Sequence, residues 1–104
     1  MDVSVKPFGL SGLKVKAEGR LDLENAVVFG TTVKNAIADS DEPVQELVID
    51  FEKIEFISSF GLKVILELYK CMKEQEGTLK LVNVSEQIKN SFRMVGFDKF
   101  LELD

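Results

Sequence analysis

ELVIDFEKIEFISSFGLKVILELYKCM, residues 46–72, is the stretch whose reading decides the fold. It opens with Leu47-Val48-Ile49 and then Phe51, a short continuous apolar run rich in β-branched side chains. Such a run fits a strand covered on both faces, as in the middle of an α/β sheet. From Leu62 to Met72 the period changes. Lys63, Glu67, Lys70 and Lys73/Glu74 form one polar stripe, and the other positions are almost all apolar. That pattern predicts a helix burying a wide face, with Lys63/Glu67 and Lys70/Glu74 as i, i+4 pairs on its wet side. Between the two periods lies Ile57-Ser58-Ser59-Phe60-Gly61, a strand-to-helix turn with two hydroxyls in an otherwise apolar run.

Working outward, Val3 and Val5 alternate with polar residues until Pro7 and Gly9, as in a short edge strand ended by a loop. Leu13, Val15 and Ala17 alternate with Lys14, Lys16 and Glu18, so a second strand with one wet face follows, joined to the first by a hairpin through Gly9–Gly12. Asp22 is the candidate N-cap of a helix whose buried face holds Ala26, Phe29, Val33 and Ile37. On the other side, Gly77 stops the wide-faced helix and Thr78–Val84 reads as the next strand. Ser85 can cap a third helix with Ile88, Phe92 and Val95 inward. Gly96 stands at the left-handed C′ position, with Phe97 placed to pack on Phe92. Phe100, Leu101 and Leu103 suggest a last short strand. The order β-β-α-β-α-β-α-β predicts one α/β domain over residues 1–104, with a mixed, mostly parallel sheet opened by an N-terminal hairpin and three main helices.

Composition excludes several functions. The 104 residues carry 18 acidic against 13 basic side chains, a net charge of −5, and the basic ones are scattered. That balance opposes non-specific binding to nucleic acid or an anionic membrane, both of which need a cationic footprint. No run approaches the roughly 18 apolar residues of a membrane span, and the N-terminus lacks the basic start and apolar stretch of a signal peptide. A single cysteine, Cys71, allows no internal disulfide and suits a reducing cytoplasm. With no histidine, the commonest general base and metal ligand is absent, and a zinc site of the Cys/His type cannot be built. No metal or cofactor is expected. A serine at a strand-to-helix turn superficially resembles a hydrolase elbow, but Gly-x-Ser-x-Gly is not matched and no His can serve as base. The expectation is a chain that is not an enzyme.

The serine pair sits where the first turn of a helix leaves backbone N–H groups without intrahelical partners and the peptide dipoles favour negative charge. A hydroxyl suits that place as an N-cap, and a phosphate or its seryl ester suits it too. There is no capping box, because Leu62 rather than Glu stands three residues after Ser59. Local chemistry therefore licenses a helix cap that could also accept an anion.

From Glu46 to Phe97 the chain resembles the STAS domain, specifically the bacterial anti-sigma factor antagonists. The resemblance rests on Leu47-Val48-Ile49-Asp50-Phe51, on Phe56-Ile57-Ser58-Ser59-Phe60-Gly61-Leu62 and on Val64-Ile65-Leu66, which match a hydrophobic strand, an Asp-Ser-Ser-Gly-Leu motif and an apolar helix. Gly77–Ser85 is similar to the family's G-x-L-x-L-x-N-V-S strand, Arg93–Phe97 to its closing glycine-hydrophobic pair, and Glu18–Asp22 to its Gly-Glu-Leu-Asp segment. In the family the first serine of the motif is the phosphoacceptor, which register from Gly61 places at Ser59. Ser58 then occupies the Asp position and Phe60 replaces the second serine, a bulky side chain where a kinase would approach.

The resemblance implies a binding protein switched by phosphorylation. Unphosphorylated, it would sequester an anti-sigma factor, a serine kinase of the histidine-kinase-like ATPase superfamily, and so release a sigma factor; a PP2C-type phosphatase would reverse the phosphorylation. Asp22, Ser58, Ser59, Phe60, Gly61 and Leu62 are the expected partner-binding residues, with Asp22 on the same rim as Ser59. A rival reading keeps the fold but makes it a module that binds a small ligand or nucleotide, or a subunit of a larger regulatory or transport assembly. Phe60 as an exposed aromatic anchor would favour it.

Overall fold

A computed structural model describes residues 1–104. A hairpin of β1 (Val3–Phe8) and β2 (Gly12–Ala17) leads through β3 (Gly19–Leu21) into α1 (Leu23–Ala38). Then come β4 (Glu46–Asp50), β5 (Ile54–Ile57), α2 (Ser59–Glu74), β6 (Thr78–Val82) and α3 (Glu86–Met94). A 3-10 turn over Phe97–Lys99 precedes the short β7 (Glu102–Leu103). The main sheet has the order β1-β2-β4-β6-β7, antiparallel only between β1 and β2. The expected α/β architecture is therefore present, with two additions. The strands β3 and β5, three and four residues long, pair parallel as a separate ribbon.

The strand order advances in one direction from β2 to β7. Right-handed crossovers then put every connecting helix on the same side of the sheet. The core confirms it. Val15, Leu47, Ile49, Leu79 and Leu81 from the sheet form one cluster with Phe29 and Val33 of α1, Ile65 and Leu68 of α2, and Ile88 and Phe92 of α3. The expectation that β4 is covered on both faces holds, although helices lie on only one of them. Val48 points to the open face and lies outside that cluster, yet it is only 5% exposed. Its neighbours in register are Lys14 and Lys80, both half-buried, and their aliphatic stems provide the cover. No helix is long and apolar enough to cross a membrane.

Gly77 follows the end of α2 as expected, and the left-handed residue there is Glu76, at φ 59°. Gly77 N–H donates to the Met72 carbonyl at 2.8 Å and Glu76 N–H to that of Lys73 at 3.0 Å, the two bonds of a Schellman ending. Gly77 is instead needed for close approach: a Cβ there would stand 2.8 Å from the carbonyl oxygens of Val44 and Gln45. After α3 the expectation holds for Gly96, at φ 77°, and for the Phe92 and Phe97 rings, 6.4 Å apart, but Val95, expected inward, is the C-cap and exposed.

At the carboxyl ends of β4 and β6, Asp50 is 8% exposed. Its Oδ1 accepts from Glu52 N–H at 2.9 Å and from Asn83 Nδ2 at 3.0 Å, clasping the two loops. Burial pushes the Asp50 pKa up, but these hydrogen bonds, with the charges of Lys16 and Lys14, hold it below its ordinary value.

Two stability predictions follow from these ends. Glu76→Gly removes the penalty of a side chain in the left-handed region and should stabilise the fold by about 0.5–1 kcal/mol, measured as a higher urea midpoint at unchanged m. A depressed carboxylate pKa adds stability that is present above the unfolded value and disappears as pH falls through the folded one. Asp50→Asn should therefore cost about 1–2 kcal/mol at neutral pH. The gap from the wild type should close as the pH drops below about 4, read from denaturation curves at a series of pH values.

Candidate functional site

The ribbon of β3 and β5 brings two helix N-termini together. Leu21, the last residue of β3, pairs in register with Ile57, the last of β5. Its carbonyl oxygen accepts twice from Ser58, from the backbone N–H at 2.9 Å and from Oγ–H at 2.8 Å. The next residue after Leu21 is Asp22, the N-cap of α1, whose Oδ1 accepts from Asn25 N–H at 3.0 Å. The residue after Ser58 begins α2. One shared carbonyl thus fixes the starts of α1 and α2 beside each other.

The two serines are not equivalent. Ser58, half-buried and extended at φ −84° and ψ 171°, is the N-cap: its Oγ accepts from Gly61 N–H at 3.0 Å while donating to Leu21. That hydroxyl is fully engaged. Ser59 is the first helical residue, exposed, and no hydrogen bond from the protein engages its hydroxyl. It sits at the positive end of a helix with no acidic residue in its first turn, whereas α1 has Glu24 there and α3 has Glu86.

Phe60 does not stand out as an exposed anchor. It is half-buried, packs against the core, and lines a crease of about 140 Å³ between α1 and α2 with Ala26, Val27, Gly30 and Val64. The reason is helical geometry: successive residues are turned by about 100°, so Phe60 faces α1 while Ser59 faces solvent. Gly61 and Leu62 are buried and belong to the frame beneath the rim rather than to its surface. Gly61 permits the close approach on which the cap depends, because a Cβ there would lie 2.8 Å from Ile57 Cγ1 and 2.9 Å from the Leu21 oxygen.

The surface of the rim also has members that the sequence did not mark. Arg20, opposite Phe56 in the ribbon, lays its guanidinium over that ring, 4.3 Å from the centroid. Lys63, one turn into α2, lies 5.9 Å from the centroid of Phe60. The expected Lys63/Glu67 pair is absent, because Glu67 turns to Lys34 of α1 at 3.4 Å. A groove of about 610 Å³ runs past Lys16, Asp50 and Glu52 and includes none of the residues that the sequence singled out as a site.

The fold and rim together define a small α/β domain that presents two capped helix starts, one carrying a free hydroxyl, on a single edge. The STAS domain profile matches residues 8–104, and the chain belongs to that family. It is 26% identical over 91 residues to the anti-sigma-B factor antagonist of Bacillus subtilis (strain 168), covering 88% of this chain and 80% of that protein. Among solved structures it is similar to an anti-sigma factor antagonist from Mycobacterium paratuberculosis, with a TM-score of 0.81 at 24% identity, over 98% of this chain and 85% of that one. It is also similar to the Bacillus cell fate determinant SpoIIAA in its phosphorylated form, with a TM-score of 0.75 at 17% identity, over 99% and 91% of the two chains.

The frame can be tested apart from any function. Gly61→Ala should destabilise the fold by about 2–3 kcal/mol, the cost of overpacking against backbone that cannot move aside. Equilibrium urea unfolding measures it, and an unchanged midpoint would show that the Leu21–Ser58 junction is softer than its distances imply.

Proposed function

We propose that this chain is an anti-sigma factor antagonist switched by phosphorylation of Ser59. Unphosphorylated, it binds an anti-sigma factor that is itself a serine kinase of the histidine-kinase-like ATPase superfamily, and thereby frees a sigma factor in the cytoplasm. The kinase transfers the γ-phosphoryl group of ATP to Ser59 Oγ; the hydroxyl proton is lost and ADP leaves. A PP2C-type phosphatase hydrolyses the ester back to the hydroxyl and inorganic phosphate. The chain is substrate and binding partner throughout.

The observation that carries this reading is the division between the serines. One hydroxyl is consumed as a cap and the other is exposed and free at the adjacent position. The family relatives named as antagonists support the partner class. Phe60, turned into the crease, leaves the approach to Ser59 open.

The physical effect of the switch follows from where the charge lands. A phosphoserine carries about −1.5 to −2 charges at neutral pH. At the first position of α2 that charge meets the positive end of the helix and is tolerated without refolding. Across an interface it meets a partner's carboxylates or nucleotide phosphates, and like-charge contact there costs several kcal/mol.

Incubation with the kinase and ATP, followed by phosphopeptide mass spectrometry, separates the two serines. Ser59→Ala should abolish phosphate uptake while leaving fold and kinase binding intact. Ser58→Ala should lose about 1 kcal/mol of stability with its cap and still take phosphate on Ser59. Phosphate found on Ser58 in the wild type would overturn the assignment. Ser59→Asp should weaken kinase binding by calorimetry with little change in melting temperature.

A further inference from the structure

We infer that Arg20 and Lys63 are the cationic anchors of this rim, and that the surface they hold on the anti-sigma partner is acidic. The inference rests on the reading of the chain as an antagonist and names the chemistry of the face it docks against.

Lys63 lies near Ser59 along the chain, and the β3–β5 ribbon brings Arg20 to the same rim from far away in sequence. Arg20 is paired across the ribbon with Phe56, three residues before Ser59, and Lys63 follows Ser59 by one helical turn. Both are exposed, and neither comes within ion-pair distance of a carboxylate, although the chain has 18 acidic side chains. For Lys63 the cause is visible: its expected partner Glu67 is taken by Lys34. Of the two carboxylates equally near Arg20 in sequence, Asp22 is turned into the α1 cap, and Glu18 forms no ion pair with it. Each cation rests instead on an aromatic face, the guanidinium of Arg20 more closely than the ammonium of Lys63. An aromatic seat restrains a long side chain and strips part of its hydration while leaving its charge unneutralised. Part of the ordering that a rim salt bridge requires is thus already met before binding.

The same two charges account for the sensitivity of the rim to phosphate. Residues four apart on a helix face one another, so a phosphate on Ser59 comes within reach of Lys63. It would neutralise that anchor from inside the chain and set its own negative charge against the carboxylates that the anchors attract. Loss of attraction and gain of repulsion fall on one contact.

Association of the unphosphorylated chain with the purified anti-sigma factor kinase of the same organism, followed by stopped-flow at low and at physiological salt, tests this. The variants Arg20→Gln and Lys63→Gln keep most of each aliphatic stem and remove the charge. Each should slow association several-fold at low salt, the double variant by about tenfold, and the double variant should show a flattened salt dependence. Melting temperatures should not move, since both side chains are exposed. An unchanged rate and salt dependence in the double variant, with a wild type that binds and is phosphorylated on Ser59, would overturn the anchors and leave the antagonist reading standing. A wild type that neither binds the kinase nor takes phosphate would overturn both.

Discussion

The carbonyl oxygen of Leu21 is the point on which the rim depends. It accepts the N–H and the hydroxyl of Ser58 together, so the end of β3 and the start of α2 cannot separate without exposing a donor pair. An unpaired buried polar group costs about 1–3 kcal/mol, a large fraction of what holds a domain of this size together. Gly61 keeps the approach possible, and the pairing of Arg20 and Leu21 with Phe56 and Ile57 sets its register. Because Asp22 follows Leu21 directly, the same bond that seats α2 also places the start of α1. Two helix ends whose positive poles would otherwise be independent become one surface.

Most of the architecture was legible because it is written in periods. Val15 and Ala17 alternate, Ala26, Phe29, Val33 and Ile37 recur at helical spacing, and all of them are buried where those patterns put them. The ribbon of β3 and β5 was not legible, since strands of three and four residues are too short to show a period and their pairing joins segments far apart in sequence. Val48 was legible as buried, but its cover was not. A continuous apolar run identifies burial, not what covers it, and lysine stems bury a valine as well as a helix does. Glu76 shows the limit of punctuation by glycine: Gly77 marks the end of α2, but the left-handed residue is Glu76, while Gly77 serves the close approach to the Val44 and Gln45 carbonyls.

The site divides in the same way. That a hydroxyl would cap α2 could be read from the chain, because serines ahead of an apolar helical pattern have few other uses. Which hydroxyl does so is decided by Leu21, a partner many residues away whose backbone carries no sequence signal. Resemblance to the antagonist family put the acceptor at Ser59, and the geometry independently leaves the Ser59 hydroxyl unengaged while consuming that of Ser58. The aromatic seats of Arg20 and Lys63 lay beyond either route. One depends on the unseen ribbon, the other on Glu67 choosing a lysine on another helix over the one a turn away on its own.

These facts bear on how the proposed switch works. A mechanism that unfolded or shifted α2 on phosphorylation would have to overcome the Leu21–Ser58 bonds and the burial of Leu62, Val64, Ile65 and Leu68 behind them. A phosphate at the first helical position supplies no such force, because its interaction with the helix end is favourable, by about 0.3–1 kcal/mol at an exposed site. The modified chain is therefore expected to keep its fold, and discrimination must lie in what a partner meets at the surface. The rim is suited to that division. Its frame is buried and bonded through backbone, while the cations Arg20 and Lys63 and the neutral hydroxyl of Ser59 all stand in solvent where a partner can read them. Salt should then modulate the interaction far more strongly than it modulates the stability of the fold, since screening acts on exposed charges and leaves the buried frame untouched.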